Sequence, residues 1–94
     1  MPTKKQHAAA KALGHARYDE LLALQGGVCA GCGRQPYARR FCVDHDHRTL
    51  EVRGLLCFTC NYLLSPRWRT NPEVLRALAA YLEEPPARPL ELRP

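Results

Sequence analysis

Residues 29–61 read CAGCGRQPYARRFCVDHDHRTLEVRGLLCFTCN, and this stretch decides the fold. It opens and closes on Cys-x-x-Cys pairs, Cys29 with Cys32 and Cys57 with Cys60. Zinc takes four soft ligands in a tetrahedron, with sulfur about 2.3 Å from the ion. A two-residue spacer lets both sulfurs of one knuckle face the same ion, and two knuckles complete a closed structural site. Residues 33–56 separate the pairs, more than the about 15–20 residues of a common zinc ribbon, so something folded lies between them. A redox Cys-x-x-Cys or buried free thiols are the other readings, and two matched pairs speak against both. The fifth cysteine, Cys42, sits in RRFCVDH and reads as a small hydrophobe on a strand.

The rest of the chain agrees with a metal-stapled domain. Its 94 residues make one small domain, of a size that often needs a metal or disulfide. A hydrophobic content of 46% excludes a disordered chain. No apolar run approaches the roughly 18 residues of a membrane span, and the first residues hold no signal-peptide core. Five cysteines are an odd number for a secreted disulfide scaffold. A cytoplasmic metal-binding protein is expected. The formal charge is +5, and four thiolates with one Zn²⁺ bring it to about +3, basic enough to meet a phosphate backbone without proving that it does.

Outward from the zinc loop, residues 1–14 form a basic, Ala-rich N-terminal arm with Lys4, Lys5 and Lys11, interrupted at Gly14. The spacing of Tyr18, Leu21 and Leu22 predicts a helix over about 15–25, which Gly26-Gly27 stops. Residues 34–40 are a basic loop. Phe41–His45 and Glu51–Leu56 read as two strands around a loop, and 57–64 as the second knuckle running into a short helix. Asn71 caps a further helix that opens at Pro72, with Val74, Leu75, Leu78 and Leu82 as its apolar stripe. Pro85-Pro86 ends it, and residues 85–94 are read as an extended or disordered Pro-rich tail. The fold class is small α+β, a zinc-held ββα unit flanked by an N-terminal and a C-terminal helix, the body spanning 15–84.

The loop between the knuckles carries Asp44-His45-Asp46-His47, with Asn61 directly after the second knuckle. A polar hairpin loop is often merely solvated. Phosphodiester hydrolysis, however, needs a base for water on one side of the phosphorus and a cation for the leaving oxygen on the other. Histidine matches the base role near neutral pH, and Mg²⁺ takes hard oxygens such as those of Asp and Asn. Neighbouring strand residues point to opposite faces, which separates Asp44 from His45. Four thiolates close the zinc site, so that ion is structural and the histidines are surplus to it.

DHDH at 44–47, VRGLLC at 52–57 and CFTCN at 57–61 resemble the phage recombination endonuclease VII family. These are zinc-containing His-Me finger nucleases (HNH-type, ββα-metal). The resemblance extends over about residues 15–83, from QGGVCAGCG to NPEVLRALAAYL. It implies a DNA endonuclease leaving 5′-phosphate and 3′-hydroxyl ends, and a host-cell cytoplasmic location if the chain is phage-encoded. It implies His45 as general base, and Asp44 and Asn61 as ligands of one Mg²⁺ or Mn²⁺. It further implies His47 at the scissile phosphate, and Cys29, Cys32, Cys57 and Cys60 as zinc ligands. Family members often carry Gly after the hairpin Thr, where this chain has Leu50. The junction-resolving members act as dimers on four-way junctions through a long C-terminal part. This chain ends soon after the 72–83 helix, so neither their substrate nor their dimer is carried over, and the use is either branched DNA or general nicking. A homodimer through an outer helix stays compatible with the sequence.

Arg34, Arg39, Arg40, Arg48, Arg53, Arg67 and Arg69 are the candidate backbone contacts, suited to positioning more than to base readout. Trp68, between two of them, reads as core. The alternative function is a non-catalytic zinc-ribbon DNA-binding module. The DHDH and Asn set separates the two, since a binding module has no need of it.

Overall fold

The computed structural model describes residues 1–36, 39–64 and 72–94. The chain order is α1 (Lys4–Ala16), α2 (Tyr18–Leu24), β1 (Cys42–His45), β2 (Val52–Leu56), α3 (Phe58–Leu63) and α4 (Pro72–Glu83), then a 3-10 turn at Arg88–Leu90. The α+β class and the strand–strand–helix order agree with the sequence reading. Asn71, Trp68, Arg67 and Arg69 lie outside the described residues.

Residues 4–16 are helical because alanine dominates them and a capping box starts them. Thr3 Oγ1 accepts the Gln6 N–H and Gln6 Oε1 accepts the Thr3 N–H. Gly14 does not interrupt this helix, contrary to the sequence reading. It is buried inside it, and a Cβ there would run into Val43. A glycine that lets a helix backbone touch a strand is repaid by packing for its poor helix propensity. The break falls instead at Arg17, whose φ of −114° and ψ of 24° leave the helical region and divide the expected 15–25 helix between α1 and α2.

β1 and β2 pair antiparallel with Cys42 opposite Leu56, Val43 opposite Leu55, Asp44 opposite Gly54 and His45 opposite Val52. Arg53 is left over, so the ladder bulges beside the Asp44-His45 step. Gln25 covers part of the free edge of β2. Its Oε1 accepts the Leu55 N–H at 2.7 Å and its Nε2 donates to Leu55 O at 2.9 Å and Val28 O at 3.0 Å. The C-terminal residues cover another part. Val52 N–H donates to Leu92 O and Ala87 N–H donates to Arg53 O. The tail is therefore neither extended nor disordered: Ala87 and Leu92 are buried in the core, and satisfying the β2 backbone holds them there.

The core gathers Leu21, Val43, Val52, Leu55, Leu56, Leu78 and Tyr81 around the hairpin. The expected stripe of α4 is corrected in part. Leu78 is buried, but Leu75 and Leu82 are exposed and Tyr81 takes the inner position. Tyr81 can be buried because Gly54 leaves room for its ring and Asp44 accepts its hydroxyl.

Candidate metal centre and histidine cluster

The two knuckles come together as their spacing requires. The sulfurs of Cys29, Cys32, Cys57 and Cys60 all lie within 4.8 Å of one another. Two sulfurs on a tetrahedral zinc stand about 3.8 Å apart, and Cys32 Sγ to Cys57 Sγ is 3.8 Å. Backbone N–H groups point at the sulfurs: Gly31 and Cys57 donate to Cys29, and Cys60 donates to Cys57. Burial raises the Cys29 thiol, but the N–H groups of Cys57, Cys32 and Gly31 outweigh it and hold Cys29 below the ordinary thiol range. Burial, with the charge of Cys29 second, pushes Cys60 far up. Cys57 is raised chiefly by burial. Without a cation one thiolate suppresses the others; a divalent ion removes that conflict. The donor set fits a structural metal such as zinc. Cys42 stands apart on β1, half-buried, its thiol raised chiefly by burial.

The DHDH run divides by alternation. Asp44 is buried on one face of β1. Its Oδ2 accepts Arg53 Nε–H at 2.7 Å and the Tyr81 hydroxyl at 2.8 Å, and its Oδ1 accepts Arg53 Nη2–H at 3.1 Å. Arg53, expected among the backbone-contacting arginines, is thus turned inward, and its Nη2–H also reaches His45 O. The bulge makes this contact, because the unpaired residue is aimed at Asp44. With two donors on Oδ2 and one on Oδ1, the open lone pair lies on Oδ1, enough for a Mg²⁺ that takes one carboxylate oxygen and keeps its waters. Asn61 lies in α3, next to Cys60 of the cysteine cluster, and its N–H bonds Cys57 O.

His45 points the other way, toward α1, and is 2% exposed. His7 Nδ1 lies 2.9 Å from His45 Nε2. The ring of exposed His47 stacks on that of His45 with centroids 4.6 Å apart, and His7 is 5.0 Å from His47. Burial lowers the His45 pKa, followed by the neighbouring charges of His47 and His7, so the ring is neutral at pH 7. His7 was not singled out in the sequence. The signal was available: His7, Ala10 and Gly14 share one face of α1, the last two are its buried residues, and Gly14 meets Val43 of the hairpin.

Asp46 shapes the loop. Its Oδ1 accepts the N–H groups of Arg48 at 2.7 Å and Thr49 at 2.9 Å, an Asx turn, and its backbone bonds Glu51 O and the Leu50 N–H. Those bonds, the Thr49 one foremost, lower its pKa. Among the other arginines, Arg34 and Arg48 are exposed, Arg39 stands 5.1 Å from the centre of the Phe58 ring, and Arg40 stands 3.9 Å from that of Tyr18. No helix among the described residues is long and apolar enough to cross a membrane.

The chain is 44% identical over 71 residues to the Gene 59 protein of Mycobacterium phage D29. It is 41% identical over 71 residues to the Gene 59 protein of Mycobacterium phage L5. Each match covers 74% of this chain and 43% of the relative, so the chain spans less than half the length of these relatives. No solved structure matches it. The family model for recombination endonuclease VII matches residues 4–84, from the first turn of α1 to the end of α4. With that match and the cysteine cluster between its ends, the chain belongs to the recombination endonuclease VII family.

Proposed function

We propose that this protein is a metal-dependent DNA endonuclease of the His-Me finger type, with His45 as the general base. The observation that carries the reading is the buried His45 ring, neutral at pH 7 and fixed from two sides by His7 and His47. When Nε2–H is donated to His7 Nδ1, the lone pair of His45 rests on Nδ1, ready to take a proton from an attacking water. Arg53 and Tyr81 fix Asp44 on the opposite face. Asp44, through Oδ1, and Asn61 would hold a Mg²⁺ or Mn²⁺, which when bound supplies positive charge to the leaving 3′ oxygen. His47, exposed beside the base, orients the scissile phosphate. The products carry 5′-phosphate and 3′-hydroxyl ends. Exposed Arg34, Arg39, Arg40 and Arg48 position the backbone. Four-way junctions and plain duplexes are both candidate substrates, and a homodimer is a candidate assembly.

The test is cleavage of supercoiled plasmid and of a synthetic four-way junction by the zinc-loaded protein, with Mg²⁺ and with EDTA. Mg²⁺-dependent cutting is expected, and the junction-to-plasmid ratio assigns the substrate. DNA binding without cutting of either substrate would replace the nuclease by the zinc-ribbon binding module.

A further inference from the structure

Three histidines from three separate elements meet at one point: His7 from α1, His45 from the end of β1 and His47 from the loop after it. One ring nitrogen of each lies within 4.8 Å of the other two. This cluster is separate from the cysteine site, and it faces away from the Asp44 carboxylate. Its donors are all imidazole. That set is poor for Mg²⁺, which wants oxygen, and good for Zn²⁺, Co²⁺ or Ni²⁺.

The geometry points to a second transition-metal site, in which His7, His45 and His47 hold a Zn²⁺-class ion. An ion with about 2.0–2.1 Å bonds to nitrogen sets two tetrahedral ligands about 3.3 Å apart. His7 Nδ1 and His45 Nε2 stand at 2.9 Å, so the pair opens by a few tenths of an ångström to admit the ion. The ion replaces the hydrogen bond between them. His45 is buried and His7 half-buried, which supplies a fixed floor, while exposed His47 leaves a side open to water or an anion as fourth ligand. The remainder of α1 supports the site: the Thr3–Gln6 capping box sits one residue before His7, and Gly14 seats the helix on Val43 of the hairpin.

The consequence for activity rests on the nuclease reading. A neutral imidazole bound through Nε2 carries its proton on Nδ1. Coordination therefore moves the His45 proton from Nε2 to Nδ1 through solvent, with no net proton released, and fills the lone pair that would serve as base. Zn²⁺ in excess of the structural ion would switch cleavage off, and α1 is the element that confers this.

Cobalt is the probe. Protein holding one Zn²⁺ at the cysteines is titrated with Co²⁺ and followed by visible absorption and calorimetry. One further Co²⁺ per chain is expected, with d–d bands of a nitrogen-ligated ion and without sulfur-to-cobalt charge transfer. His7→Ala should weaken that binding by roughly 100-fold or more, through loss of one of three protein ligands. His7→Gln, which keeps a polar group on the helix, should weaken it likewise, with the helical circular dichroism of both variants retained. In the plasmid assay, the ratio of rates with and without excess Zn²⁺ should fall in the wild type and stay near one in His7→Ala. Absence of the second Co²⁺, thiolate charge transfer in its spectrum, or equal affinity in the His7 variants would overturn the site. A nitrogen-ligated second Co²⁺ in a protein that cuts no DNA would uphold the site and remove the nuclease reading instead.

Discussion

Leu50 carries a φ of +68°, a left-handed conformation that costs a side-chain-bearing residue about 1–2 kcal/mol. Leu50→Gly is therefore expected to stabilise the domain by about 0.5–1 kcal/mol after the added chain entropy of glycine. That is a rise in Tm of about 2–8 °C in a thermal melt for a domain of this size; a fall would show that the Leu50 side chain contributes more by packing than its backbone costs. Asp46 acts at the same scale. Its folded pKa lies below the unfolded one because the Thr49 and Arg48 N–H groups favour the carboxylate. Its contribution is complete above about pH 4, the unfolded range, and is lost as pH falls through the lower folded value. At pH 7, where the carboxylate is ionised and the thiolates can keep their metal, Asp46→Ala should lower the denaturant midpoint, and an unchanged midpoint would refute the Asx turn as a source of stability.

α1 decides how the elements meet the site. Gly14→Ala improves helix propensity by up to about 1 kcal/mol, yet its Cβ enters Val43, and overpacking costs about 1–3 kcal/mol. The variant should lose about 1–2 kcal/mol in chemical denaturation, and a gain would mean that α1 is not seated on β1. Such contacts explain which features were legible in the sequence. The meeting of the four cysteines, the two strands and the helix after the second knuckle follow from local spacing and period, and they stand where the spacing put them. His7, Tyr81 and the inward turn of Arg53 depend on pairs far apart in the chain and on a one-residue bulge, which no local pattern announces. The C-terminal residues read as a disordered tail because prolines dominate them. The edge of β2, invisible from their composition, is what orders them.

For the whole molecule, the four-cysteine cluster brings the two ends of the hairpin unit together, and a structural metal such as zinc fits it. Structural zinc supplies about 10–16 kcal/mol in small zinc peptides, comparable to the entire stability of an ordinary domain. Stripping the metal with a strong chelator, or replacing Cys57 by Ser, should abolish the cooperative unfolding transition. An unchanged melt would deny the cysteine cluster its structural role. Around that staple, β1 separates two chemistries: an anion locked by Arg53 and Tyr81 on one face, and a neutral histidine under α1 on the other. The central claim is that this second group is the base of a nuclease. Single-turnover cleavage of end-labelled DNA with Mg²⁺, by wild type and by His45→Ala at equal zinc content and equal DNA binding, tests it most directly. A loss of about 100-fold or more in the cleavage rate, the scale of general-base catalysis, is predicted. Cleavage by His45→Ala at the wild-type rate would contradict it.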